Sequence, residues 1–125
     1  MICLAHSIGG IDHIQIAAPP GSENEARTFY GELLGMPEIE KPDNLKARGG
    51  CWFACGVQEV HIGIQQEFSP AKKAHPGFTV NALDSLRARL EDAGYLITVE
   101  PPINGRTRFF THDPFGNRIE FLEFD

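Results

Sequence analysis

Residues 75–94 read HPGFTVNALDSLRARLEDAG, and this stretch settles the architecture because residues 13–35, HIQIAAPPGSENEARTFYGELLG, have the same plan. Each segment opens on a histidine and continues as a short alternating strand. In the first, Ile14 and Ile16 point one way and His13, Gln15 and Ala17 the other; in the second, Phe78 and Val80 oppose His75, Gly77 and Thr79. Side chains alternate across a strand, so each has one apolar and one polar face. Each then carries a helix signal. Ser22 and Glu25 form a capping-box pattern, with Ala26, Phe29, Tyr30, Leu33 and Leu34 at helical spacing and Gly35 as the stop. Asn81 stands at the corresponding cap position, Leu83, Leu86 and Leu90 line the second helix, and Gly94 ends it.

The strands that follow complete the repeat. CWFAC (51–55) and QEVHIGI (58–64) read as two strands joined near Gly56, with Val60, Ile62 and Ile64 on one face and His61 and Gly63 on the other. YLITVE (95–100) reads as a short strand stopped by Pro101 and Pro102. RTRFFTH and RIEFLEF read as two more strands around the turn at residues 113–117. The two units are offset by roughly 60 residues, longer than the usual solenoid periods. The expected fold is α+β: one domain over residues 1–125, built from two tandem βαβββ modules at 11–65 and 74–124. Their curved mixed sheets carry the helices outside, and the polar stretch 65–74 links them.

Composition narrows the function. A net charge of −6 argues against a nucleic-acid or anionic-membrane surface, since phosphate contact wants a basic face. No segment approaches the roughly 20 apolar residues of a membrane span. Three cysteines, Cys3, Cys51 and Cys55, form neither an even disulfide framework nor a pair of zinc-binding motifs, which fits a reducing, cytoplasmic setting. The expected partner is a small molecule.

Four polar residues interrupt the strands at matching places: His13 and His61 in the first unit, His75 and Glu120 in the second. All four fall opposite the helix-facing apolar set. A lone strand histidine is more often a satisfied or half-exposed residue than a ligand, and a lone glutamate more often a solvated one. The shared register of four is what points to a cation, and imidazole with carboxylate suits zinc, nickel, manganese or iron(II). Glu120, and alternatively His61, are the candidate bases. Gln15 shares the face of His13 and is a candidate for hydrogen-bonding substrate or water. Trp52 is a candidate pocket wall, and Arg106 and Arg108 are candidates to meet an anionic group. His6 and His112 read as structural or exposed, and the cysteines carry no nucleophile signal.

DHIQIAAP, ARTFYGELLGM, VHIGI, HPGFTV, LRARLEDAG and above all RFFTHDPFGNRIEFLE together resemble the vicinal oxygen chelate superfamily over about residues 11–124. That group includes glyoxalase I, bleomycin-resistance proteins, fosfomycin-modifying enzymes, methylmalonyl-CoA epimerase and extradiol dioxygenases. The resemblance implies paired βαβββ modules and a divalent metal held at the positions of His13, His61, His75 and Glu120. It also implies a homodimer with exchanged modules, in which His13 and His61 of one chain meet His75 and Glu120 of the other at the interface. The departure is His61: glyoxalase I has a glutamate there and the epimerase a glutamine, while dioxygenases and fosfomycin enzymes use only the other three positions. Bleomycin-resistance proteins lack the metal set altogether. The implied activity is a metal-dependent lyase or isomerase of glyoxalase type acting on a small oxygenated substrate. The alternatives are a small iron(II) extradiol dioxygenase and a small-molecule binder without catalysis.

Overall fold

The computed structural model describes residues 3–125, and its elements follow the duplicated plan. The first unit runs β1 (His13–Ala18), α1 (Glu23–Ala26), β2 (Glu38–Ile39), β3 (Cys51–Cys55) and β4 (Gln58–Ile64). The second runs β5 (Gly77–Thr79), α2 (Leu83–Asp92), β6 (Arg106–His112) and β7 (Arg118–Phe124). They build a four-stranded sheet in the order β1-β4-β3-β2 and a three-stranded sheet in the order β5-β7-β6. In each sheet the first strand runs parallel to the last, β1 beside β4 and β5 beside β7, and the remaining pairs are antiparallel.

The apolar faces read from the alternation are the buried ones. Ile16 and Ala18 of β1, Phe53 of β3, Val60 and Ile62 of β4, and Phe109, Ile119 and Phe121 of the second sheet join Phe29, Tyr30, Leu83 and Leu90 of the helical segments in one core. Full burial of side chains of this size is worth roughly 1.5–3 kcal/mol each, so the helices are held on the sheets chiefly by these contacts.

Four local expectations are corrected. The capping box at Ser22 does not form: Ser22 Oγ is buried without a partner. After Ala26 the helix widens into a π-helical stretch, Arg27–Leu33, in which the Leu34 N–H bonds the Phe29 carbonyl five residues back. Asn81 does not cap α2. The cap position falls on Ala82 (φ 59°), and the Glu123 carboxylate of β7 accepts the Ala82 and Leu83 N–H groups at 3.1 and 3.0 Å. An acid from a neighbouring strand there answers both the orphan donors and the positive end of the helix dipole. Residues 95–100 form no strand; Thr98 makes a single bridge to Phe110 instead, so the second unit lacks one strand of the expected four. The two units keep separate sheets, as the duplicated plan implies.

The 113–117 turn ties the two units together. Asp113 is 4% exposed, and its carboxylate accepts four hydrogen bonds: from the Phe115 and Asn117 N–H groups at 2.9 Å, from Tyr30 Oη at 2.7 Å and from Asn117 Nδ2 at 2.8 Å. Asn117 Nδ2 also donates to the Ala17 carbonyl of β1 at 2.8 Å. Burial, and next the Asp113 charge, push the Tyr30 phenol well above its ordinary range, so it stays a donor.

Candidate functional site

The duplication extends to the register of the polar faces. Gln15 lies opposite His61 across the parallel pair, and Trp52 lies opposite His61 across the antiparallel one. Gly77 and Phe110 flank Glu120 in the same way. His13 precedes Gln15 by two residues and His75 precedes Gly77 by two. The four candidate ligands thus occupy two equivalent pairs, with His75 just upstream of β5 rather than on it.

In the first pair the rings are stacked. Trp52 lies parallel to His61 with centroids 3.7 Å apart and planes 1° from coincidence, and His13 stacks on His61 at 4.2 Å. His61 is consequently 5% exposed. Its Nε2–H donates to Glu59 Oε1 at 2.9 Å. His13 is oriented differently: its Nδ1–H donates to Asp12 Oδ2 at 2.9 Å, which leaves Nε2 unengaged. Gln15 lies across Gly63, where an added Cβ would come within 2.7 Å of Gln15 Cδ; the missing side chain is what lets the amide rest on the sheet.

In the second pair the His75 Nδ1–H donates to the Lys73 carbonyl at 2.9 Å. Arg118 Nη1 donates to the same carbonyl at 3.4 Å. With its proton on Nδ1, a neutral His75 turns the Nε2 lone pair toward Glu120 Oε1, 3.1 Å away. Two lone pairs at that separation require a proton or a cation between them. Arg108 Nη1 reaches Glu120 Oε2 at 3.4 Å, and Arg108 Nη2 donates to the Pro101 carbonyl at 2.9 Å. The Arg118 guanidinium lies 4.1 Å over the Phe110 ring, against which His75 packs edge-on. Arg106, one strand repeat from Arg108, sits 5.1 Å over Phe124.

The donor chemistry fits a divalent cation in part. Two donors at about 2.1 Å from one ion and at right angles are about 3 Å apart, which is the spacing of His75 Nε2 and Glu120 Oε1. A metal-bound histidine normally gives its other N–H to an acceptor, as His13 does to Asp12 and His75 to Lys73. Yet among the described residues no three His, Cys, Asp or Glu side chains of one chain converge on a metal position. The units come together at a cavity of about 430 Å³ that has Gln15 from the first and His75 and Arg118 from the second on its walls.

The sequence reading missed Asp12, Glu59 and Arg118. The signal was available: alternation puts Glu59 on the face of His61 and Arg118 on that of Glu120, and Asp12 adjoins His13. Cys51 is buried, and burial pushes its thiol up to about 11, which leaves it an inert core group.

The family model of the Glyoxalase/Bleomycin resistance protein/Dioxygenase superfamily matches residues 10–121. The chain belongs to this superfamily. A glyoxalase family protein from Bacillus anthracis, known from its crystal structure, is 52% identical, with 98% of this chain and 100% of that one aligned at a TM-score of 0.93. A glyoxalase/dioxygenase from Nostoc punctiforme shares the fold at 19% identity and a TM-score of 0.80, over 100% of this chain and 97% of its own. Glyoxylase I 4 of Arabidopsis thaliana is 27% identical over 92% of this chain and 71% of its own length. Superfamily members typically bind divalent metals. Among the described residues no helix is long and apolar enough to cross a membrane.

Proposed function

We propose that this protein is a divalent-metal-dependent enzyme of glyoxalase type, a lyase or isomerase acting on a small oxygenated substrate. The observation that carries this reading is the His75–Glu120 pair: Nε2 and Oε1 stand at the spacing of two ligands of one ion, and His75 is already fixed through Nδ1. Because one chain brings only pairs together, the reading includes a homodimer in which His13 of a second copy completes the set on His75 and Glu120.

A divalent cation at that position supplies Lewis acidity to a developing oxyanion, worth several kcal/mol of barrier. The chain's own groups do the rest. Glu120 Oε2, on the side of Arg108, is the atom placed to take a proton next to a substrate carbonyl. Arg108, 16% exposed at its side chain, holds that carboxylate and offers a cation to a substrate oxygen. Arg106 extends the same positive strip along β6. Gln15 presents a neutral amide beside His13. His61 in this reading supports rather than binds: Glu59 occupies its Nε2, and Trp52 and His13 enclose its ring.

That enclosure also favours a second reading. His13, His75 and Glu120 alone make a two-histidine, one-carboxylate face, the donor set of iron(II) oxygenases. Metal analysis of protein purified without added metal, followed by turnover assays, separates the two. Nickel, zinc or manganese with isomerisation of a hemithioacetal supports the first reading; iron with oxygen consumption on a catechol supports the second. A protein that takes up no metal under either regime, while retaining an unchanged small molecule, overturns both in favour of a binder.

A further inference from the structure

A cavity of about 260 Å³ opens beside the first pair of candidate ligands, between β3, β4 and the 3-10 helix Asp43–Arg48. Its sheet-side walls are Gln15, Trp52 and the Ile62–Ile64 segment, and the ionisable groups on its walls are Lys41 and Arg48. No carboxylate lines it, although the chain carries 17 Asp and Glu against 11 Lys and Arg. The neighbouring cation is treated differently: Lys46 points to Glu40 and Asp43, at 2.7 and 2.9 Å, and is neutralised there. Arg48 has no hydrogen-bond or ion-pair partner among the described residues. Lys41 gives one N–H to the Gly49 carbonyl, which pins the segment over the cavity and leaves two donors. Glu23 stands behind Gly49, where its Oε2 accepts the Gly50 N–H at 3.0 Å and its charge is felt by Lys41.

We propose that this cavity is a subsite for an anionic group, a carboxylate or phosphate, received by Lys41 and Arg48 over a floor of Trp52 and Gln15. Glu23 offsets part of the Lys41 charge from behind the wall, but Arg48 has no acid beside it, and the concave wall keeps a net positive field that favours an oxyanion. Arg48 supplies a planar pair of donors suited to either anion. Gln15 lies two residues along β1 from His13, about 7 Å between Cα atoms, so the subsite adjoins the first pair of candidate ligands. The substrate class that follows is a small acid that carries an anionic end besides the oxygens that would meet the metal. That link rests on the metal reading above; the anion subsite does not.

Trp52 is the chain's single tryptophan and lines the cavity, so its fluorescence reports occupancy directly. The protein, stripped of metal by chelator dialysis, is titrated at constant ionic strength with inorganic phosphate, with succinate and with the neutral succinamide. We expect a saturable change with at least one anion and none with succinamide. Arg48→Ala weakens the apparent affinity at least tenfold, and Arg48→Lys retains it within threefold. A response to phosphate alone assigns a phosphoryl end, and to succinate alone a carboxylate end. No saturable change with either anion, an equal response to succinamide, or unaltered affinity in Arg48→Ala overturns the proposal. Arg48 is exposed, so the variants keep the fold. Repeating the titration on metal-loaded protein separates the two ideas: metal uptake without anion binding sinks only the subsite, and anion binding without metal uptake sinks only the metal centre.

Discussion

Replacing His61 by phenylalanine tests the division between ligands and support. The ring between Trp52 and His13 is kept, since a six-membered ring fills the stack, while both nitrogens are lost. What disappears is the hydrogen bond to Glu59, whose side chain is 39% exposed and can turn to water. A partly exposed hydrogen bond of this kind is worth about 0.5–1.5 kcal/mol of stability. On the metal, the effect reaches only through His13, whose Nδ1 stays held by Asp12. We therefore expect His61→Phe to weaken manganese or cobalt binding by less than tenfold. His75→Ala and Glu120→Gln each remove a proposed donor and should weaken it by about 100-fold or more, ~2.8 kcal/mol at 1.4 kcal/mol per tenfold. Calorimetric titration gives the affinities, and the visible spectrum of the cobalt protein gives the donor set independently of turnover. His61→Phe should leave that spectrum unchanged. A loss of affinity in His61→Phe equal to that in His75→Ala, with a shifted cobalt spectrum, refutes the reasoning and restores a four-ligand centre.

Other expectations follow from contacts outside the stack. Glu123→Gln should lose about 1 kcal/mol, because the charge-assisted cap on α2 becomes a weaker neutral one, lowering the thermal midpoint by roughly 4 °C. Unchanged melting would show that the cap does not contribute. Glu23 accepts the Gly50 N–H, and this bond chiefly holds its carboxyl below the ordinary value of 4.5. The stability that it adds is fully present above that value and lost as the pH falls through the depressed one. Chemical denaturation of the wild type and Glu23→Gln should therefore differ at pH 7 and converge in acid; a constant gap would refute the assignment. Cys3 is exposed while Cys51 is buried with its thiol pushed up to about 11. Iodoacetamide at pH 8 should thus label Cys3 rapidly and Cys51 only in denatured protein, as peptide mass mapping would show.

Much of the fold was legible because its signals are local. Alternation in β1, β4 and β7 separates apolar from polar faces, and Gly35 and Gly94 end their helical segments in positive φ, as their positions suggested. What was illegible depends on partners far along the chain. The residue that caps α2 is Glu123, 40 positions from Leu83, and nothing local in NALD announces it. Ser22 carries the right residue type, but its hydroxyl is buried away from the N–H groups it was expected to accept. Residues 95–100 alternate well enough for a strand, yet only Thr98 bridges to a neighbouring strand. Local pattern names a strand-like segment; a neighbouring edge decides whether it becomes one.

The site divides in the same way, and the division bears on function. The most recognisable motif, DPFGN at 113–117, is structural: Asp113 and Asn117 spend their hydrogen bonds on Tyr30, on the turn and on β1. Recognition of the family therefore rests partly on residues that hold the units together rather than on those that react. The matching register of His13 with His61 and His75 with Glu120 was readable from duplication. The engagement of each nitrogen was not, since it depends on which acceptor stands nearest: Asp12 and Lys73 leave Nε2 unclaimed in His13 and turned toward Glu120 in His75, whereas Glu59 takes it from His61. In the proposed metal centre the two halves therefore have unequal parts: the first would give His13 as a ligand and His61 as its stacked support, the second His75 and Glu120 with Arg108 beside them. Such a centre would need both halves, which is why the proposal includes a second copy of the chain.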